Sequence, residues 1–445
     1  MKRTHSLTWR GALTLASMLF GLFFGAGNII FPIQMGQEAA SHWLPASLGL
    51  ILTAVGLPLL AVLALGQAQS PHLFLLARRV NRPYGYFLVT LLYLTIGPLV
   101  AIPRLATVSF AVGFSSLQPS PGQLLAYSAV FFACAYGLAR RPQGLLERIG
   151  GLLNPIFLGL LGLILVVVFS RTPWPTATQL QPAGAFQASG FLPGLLAGYQ
   201  TLDAPAGLAF GVLVIRALHQ LHIKEPRQVA LGTLKSGVLT VSLMAILYLA
   251  LTLLGFLSLG QLPRGENGGA ILAALVLKYF GGWGVFLVFL VMFLTCLKTA
   301  VGLLAAGAET LAELYPRRLN FRQWLVLLSL LSFAFANLGL ESLLKWTMPL
   351  LLFIYPLCIV LILLSLWPNI QKWRRLEGWV TALTLVAAAF DLLKALPIDL
   401  LPQTISVLES SLPGFSQGFG WLLPAGLGLS IGLGHEFLHR RLEKS

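Results

Sequence analysis

The sequence predicts an all-α, polytopic membrane protein of about twelve transmembrane helices. Three observations predict it. First, 57% of the 445 residues are hydrophobic and only 10% are charged, where soluble globular chains carry about 25% charged residues. Second, the apolar residues gather in long runs, such as 149–169, 283–297 and 350–367. Third, Lys and Arg concentrate in every second connection between the runs. The same composition excludes a soluble enzyme, a secreted disulfide scaffold and a disordered chain, because a soluble sphere of this length could not hide so much apolar surface.

Taken in order, the chain opens on the basic Met1-Lys2-Arg3. The apolar run that follows passes through Phe31-Pro32 without a small-residue cleavage site, so it is a retained first span rather than a signal peptide. The spans are 11–35, 44–66, 84–114, 123–139, 148–170, 190–217, 231–258, 282–312, 321–339, 348–367, 377–395 and 420–438. The third and eighth are long enough to need tilt or protruding ends. Lys2, Arg3 and Arg10 precede the first span, and Arg440, Arg441 and Lys444 follow the last. Alternate connections hold Arg78, Arg79, Arg82; Arg140, Arg141, Arg148; Arg216, Lys224, Arg227; Arg317, Arg318, Arg322; and Lys372, Arg374, Arg375. The opposite connections hold only Arg171, Arg264, Lys278, Lys345 and Lys394. This alternation sets both termini in the cytoplasm. It also explains the net charge of +15 by anionic lipid rather than nucleic acid. The gaps 171–189, 259–281 and 396–419 are read as surface lids, and no soluble domain is visible.

Two spans should break. A break in lipid leaves backbone groups unpaired, so breaks survive only where they line a cavity or a ligand site. The first span reads Gly21-Leu22-Phe23-Phe24-Gly25-Ala26-Gly27-Asn28-Ile29-Ile30-Phe31-Pro32. Glycine lets the chain leave helical geometry, and Asn28 can bond the freed groups. The sixth reads Gly198-Tyr199-Gln200-Thr201-Leu202-Asp203-Ala204-Pro205-Ala206-Gly207. Any single glycine could instead serve a close helix crossing. Paired interruptions in spans one and six, which an inverted five-plus-five repeat makes equivalent, point to a transporter binding site. The N–H groups near Ala26 and Gly27 favour a carboxylate, and the carbonyls near Gly198 and Tyr199 an ammonium. One cavity then suits a zwitterion, with Phe23, Phe24, Phe110, Phe210 and Ile29 as apolar walls.

Charges inside spans add detail. Asp203 is either the N-cap of the second half of span six or a ligand for an amine or cation. Thr295, Lys298 and Thr299 share one face of span eight, and hydroxyls on one face suit a hard cation such as sodium. The Lys298 ammonium either pairs with an acid or stands where the sodium ion would sit, in which case coupling is to protons or is absent. Arg104 is an outer gate or a structural ion pair. Cys134, Cys296 and Cys358 lie in apolar runs as packing residues, and His5, His42, His72, His219, His222, His435 and His439 form no cluster. No cofactor, metal-enzyme site or obligate protein partner is visible, and the protein is not read as an enzyme.

Several motifs together resemble the bacterial branched-chain amino acid carrier (BrnQ, or LIVCS) family. They are Phe24 to Pro32, Gly97-Pro98, Pro103-Arg104-Leu105-Ala106-Thr107-Val108-Ser109-Phe110, Gly198-Tyr199 through Asp203-Ala204, Ala300-Val301-Gly302-Leu303, Asn337-Leu338-Gly339-Leu340 and Tyr355-Pro356. The resemblance implies import of leucine, isoleucine and valine by alternating access, coupled to a sodium or proton gradient. It implies the LeuT-like, amino acid–polyamine–organocation architecture, with 11–170 and 190–367 as the inverted repeats and 377–438 as two additional helices. By the same analogy Gly21 and Phe24 carbonyls join the hydroxyls of Thr295 and Thr299 in a cation site, where the pattern calls for a small or hydroxyl residue at 298. The substrate-binding set is Gly25, Ala26, Gly27, Asn28, Phe110, Gly198, Tyr199, Thr201 and Asp203, with Arg104 and Lys298 in gating or coupling. The competing readings are a carrier of another neutral apolar solute on the same scaffold and a channel, which would need a continuous polar stripe.

Overall fold

Thr8 starts the first helix, α1 (Trp9–Phe23), by accepting the Gly11 N–H at 3.2 Å. The ladder stops after one predicted half-span and resumes as α2 (Gly27–Ala39). The computed structural model describes residues 7–67, 73–114, 120–140, 151, 153–176, 179–221, 223, 225–265, 267–367, 369–396 and 401–442. The predicted basic residues Lys2, Arg3, Arg141, Arg148, Lys224 and Lys444, together with His5, His72 and His222, lie outside the described residues. So does most of 148–152, at the start of the fifth predicted span.

Span two is α3 (Trp43–Ile51) and α4 (Leu57–Gln67), joined by a wider π turn over Leu52–Gly56. A short α5 (Leu73–Ala77) leads to span three. That span is not the continuous helix expected over 84–114. It divides into α6 (Arg82–Leu94) and α7 (Ala101–Gly113) at Gly97, whose φ of −94° and ψ of −122° are non-helical. Pro98 supplies the reason, since proline drives the residue before it out of the α region. Then come α8 (Pro121–Ala139), capped by Ser120 and Gln123, and α9 (Asn154–Arg171). Span six is α10 (Phe191–Gln200) and α11 (Asp203–Gln220). The rest are α12 (Pro226–Ser258), α13 (Gly268–Phe280), α14 (Gly282–Leu314), α15 (Phe321–Ala336), α16 (Leu340–Leu366), α17 (Arg374–Ala395), α18 (Pro402–Ser411) and α19 (Leu422–Leu442).

Among the described residues, 8 helical stretches are long and apolar enough to cross a membrane. The other predicted spans are divided, short or charged at one end: α1, the α10–α11 pair, α15 and α19. One predicted lid, 259–281, contains a helix, α13, whose Ile271, Leu272, Leu275 and Val276 are buried. Another, 396–419, contains α18, which buries none of its residues.

Two crossings bring backbones into direct contact. A Cβ added at Gly36 on α2 would lie 2.0 Å from the Thr252 carbonyl oxygen on α12, and one at Gly255 would lie 1.9 Å from the Ile33 carbonyl oxygen. On the other side, a Cβ at Gly194 of α10 would lie 2.2 Å from the Ala46 carbonyl oxygen of α3. Small residues permit this approach, which earns van der Waals contact where lipid offers no hydrophobic drive. The second half of span one is thereby clamped to α12, and the first half of span six to α3.

Gly36→Ala should therefore cost roughly 1–3 kcal/mol of stability, the usual range for overpacking, read as a lower thermal unfolding midpoint of the purified protein in detergent. Gly159→Ala, on α9 with nothing within 4 Å, should be neutral or stabilise by up to about 1 kcal/mol. Equal midpoints for the two variants would contradict the tight crossing.

Candidate functional site

At the first break Phe24 turns out of the helix at ψ 89°. In an unbroken helix the Gly25 N–H would bond the Gly21 carbonyl. Here the Asn28 Oδ1 accepts it at 3.0 Å, which leaves the Gly21 carbonyl without its helical donor. Asn28 thus closes the break as its side chain allows. The helix restarts at Ala26, whose carbonyl accepts the N–H groups of Ile29 and Ile30, both at 3.1 Å.

At the second break the proline is not the cause. Pro205 sits in the first turn of α11, where a missing N–H has no helical partner to lose. The turn is made at Leu202, which holds φ 64° and ψ 14°, a left-handed conformation that costs a residue with a Cβ about 1–2 kcal/mol. Thr201 steadies it by donating its hydroxyl to the Gly198 carbonyl at 2.8 Å, and the Leu202 N–H bonds the Tyr199 carbonyl at 3.1 Å.

Asp203 joins the breaks. Its carboxylate is not the helix cap, because the cap position belongs to Leu202. Instead Oδ2 accepts from the Asn28 amide at 2.7 Å and from the Tyr248 hydroxyl of α12 at 2.6 Å. The Asn28 amide also contacts the Tyr248 hydroxyl. Asp203, Asn28 and Tyr248 are all essentially inaccessible to solvent. Tyr248 escaped the sequence reading because a lone phenol in the apolar run 241–257 carries no distinguishing signal.

Between the breaks lies a cavity of about 30 Å³. Gly25, Ala26, Gly27 and Asn28 line it from one side and Thr201, Leu202 and Asp203 from the other, with Arg104, Leu105 and Thr299 completing the wall. That volume holds water, which needs about 10–15 Å³, and falls far below the roughly 300 Å³ of a small-molecule site. The space between the breaks is too small for a solute of that size. A second cavity of about 600 Å³ opens beyond Phe31 and Gln200 and is lined also by Asp391 and Lys394.

Other expected residues lie elsewhere. Gly198 and Tyr199 do not line the small cavity: their carbonyls are used within the turn, and the Tyr199 ring stacks on Tyr355 at 4.1 Å. Phe110 is not a wall either. It stacks on Phe114 at 4.9 Å and packs against Tyr127 at 5.3 Å. Five residues beyond Leu105, it faces about 140° away round the helix. Phe210 packs edge-on against Phe23, 5.7 Å away, and Phe24 stacks on Phe20 at 5.0 Å.

The oxygen groups proposed for a cation partly converge. The Thr299 hydroxyl reaches the Phe24 carbonyl at 3.5 Å, and the Thr295 hydroxyl is buried with no hydrogen-bond partner among the described residues. Carbonyls and hydroxyls suit a hard cation. Lys298, fully buried, points instead toward α9. Its Nζ donates to the Asn154 Oδ1 at 3.0 Å and stands 3.8 Å from the Phe157 ring centroid and 5.2 Å from that of Phe20. An amide oxygen and two ring faces, rather than an acid, hold this ammonium. Arg104 likewise donates Nη2 to the Gln200 carbonyl at 2.8 Å and lies 5.3 Å over the Phe31 ring, tying α7 to the ends of α10 and α2.

Two interrupted helices face one another across the bundle, and the fold is LeuT-like. Solved structures with this likeness include a variant of the Eremococcus coleocola manganese transporter, with a TM-score of 0.62 and 14% identity over 98% of this chain and 97% of that one. MhsT in complex with L-phenylalanine gives a TM-score of 0.56 and 14% identity, over 98% and 99%. The chain belongs to the family described as "Branched-chain amino acid transport protein", which matches residues 9–438. It is 41% identical over 426 residues to the branched-chain amino acid permease BrnQ of Lactobacillus delbrueckii subsp. lactis, covering 94% of this chain and 95% of the relative. It is 35% identical over 422 residues to the permease BrnQ of Escherichia coli (strain K12), covering 95% and 94%.

Asn28→Ala removes both the acceptor that closes the first break and a donor to a buried carboxylate, a bond worth roughly 1.5–3 kcal/mol. Tyr248→Phe removes only one donor to Asp203. Thermal unfolding should rank the loss as greater for Asn28→Ala, and uptake by that variant should fall more than about tenfold. The reverse ranking would show that the break is not closed by Asn28.

Proposed function

We propose that this protein imports leucine, isoleucine and valine across the plasma membrane by alternating access, driven by a cation gradient. The observation that carries the reading is the meeting of both broken spans at one buried cavity. The first N–H groups of α2 have no helical acceptors and carry the positive end of the helix dipole, which favours the substrate carboxylate. Asp203 stands across the cavity for the ammonium, in place of the Gly198 and Tyr199 carbonyls, which are already used. Phe23, Leu105 and Leu303 offer apolar surface for a branched side chain. In this reading the repeats are 11–170 and 190–367, both termini are cytoplasmic, the 600 Å³ cavity is the outer vestibule, and no obligate protein partner is needed.

Lys298 bears on the coupling ion. Its fixed ammonium follows Thr295 by one helical turn and adjoins Thr299, whose hydroxyl would otherwise help hold sodium. The charge repels a second cation, and the coupling passes to protons.

Uptake of labelled leucine by the purified chain in proteoliposomes, with sodium and pH varied independently, tests both parts. Excess isoleucine or valine should suppress uptake at least about tenfold, while lysine and glutamate should not, and accumulation should follow an imposed pH gradient. No competition by isoleucine and valine would defeat the substrate assignment. Uptake rising steeply with sodium at fixed pH would defeat the coupling assignment.

A further inference from the structure

We propose that Arg104 binds the carboxylate of the transported amino acid through its Nη1. The inference rests on the central cavity being an amino-acid site, and it adds a residue to it.

Arg104 is 5% exposed and lines that cavity beside Gly25, Ala26 and Gly27. A guanidinium carries five N–H donors in a planar fork. Nη2 is committed to the Gln200 carbonyl at 2.8 Å, and the ring of Phe31 covers the group. Nη1 is buried and has no hydrogen-bond partner among the described residues. A buried charged donor left unpaired is strongly disfavoured, and the disfavour is relieved by an anionic acceptor.

Position decides which acceptor. A Cβ added at Gly27 would lie 3.2 Å from Arg104 Nη2, so the guanidinium rests directly on the start of α2. The guanidinium that carries the idle Nη1 therefore lies beside the unpaired first N–H groups of α2, and both ask for an anion. The acid that shares the cavity, Asp203, already receives Asn28 and Tyr248 on its Oδ2. A fixed cation on one wall and a fixed anion on the other match the two charged groups on the α-carbon of an amino acid. The absence of a side chain at Gly27 is what lets the guanidinium approach the backbone donors. Lysine would not serve as well, because it is a point charge without the fork.

The test compares leucine with leucinamide, which keeps the amine and the side chain and lacks the carboxylate. Binding is read as ligand-induced thermal stabilisation of the purified full chain. The wild type should prefer leucine by roughly 10- to 100-fold, the span of a charge-assisted hydrogen bond. In Arg104→Gln and Arg104→Lys that preference should shrink to within about threefold. Arg104 variants that weaken leucine and leucinamide alike, leaving the ratio intact, would reduce Arg104 to a structural tie and overturn the proposal. Should the variants not fold, equal binding of leucine and leucinamide by the wild type overturns it just as directly. A wild type that binds none of leucine, isoleucine and valine instead overturns the substrate reading beneath it.

Discussion

The hydrogen bonds that Asn28 and Tyr248 give to Asp203 are the constraint on which the rest of the site depends. A carboxylate within a bilayer-spanning bundle is tolerated only where donors meet it. Here the donors come from α2 and α12, while the acid stands at the start of α11. Asn28 is used twice, since its Oδ1 also takes the N–H freed at Gly25. Neither break can be rearranged without disturbing the other. The backbone defects that would be liabilities singly are made into one coupled element.

Packing around this element is uneven. α2 lies backbone to backbone on α12 at Gly36 and Gly255, and α10 on α3 at Gly194. Those half-helices are held by their neighbours along their length. The residues between the halves, 24–26 and 201–202, lack a helical ladder and include the left-handed Leu202. The cavity of about 30 Å³ lies between these two stretches. Arg104 lines the small cavity and is tied to Gln200 and Phe31, which line the larger one, so it links the walls of the two compartments.

Much of this was legible in the residues. Glycine beside Asn28 in an apolar run, and Thr201 to Pro205 in another, cannot be continuous lipid-facing helix without backbone consequences, and both breaks are where those residues stand. Other features depend on phase and on distant partners. Whether Phe110 faces the cavity turns on about 100° per residue of helix rotation, which a motif does not reveal across the kink at Gly97. Asp203 looks like a cap because Asp-Ala-Pro starts helices well. Only the fold shows Leu202 taking the cap position and Tyr248 arriving from 45 residues away. Lys298 promises an acid partner by charge alone, but finds Asn154 and two aromatic faces on other helices. The helix in 259–281 was hidden because glycine and proline around it suggest only a loop.

The most direct measurement is an experimentally determined structure of the protein with leucine bound. The account predicts density for the amino acid between residues 25–28 and 201–203, its amine toward Asp203 and its carboxylate toward the start of α2. Leucine seated wholly in the larger cavity, with the Asn28–Asp203–Tyr248 bonds unchanged and the space between the breaks still too small for a solute, would contradict it.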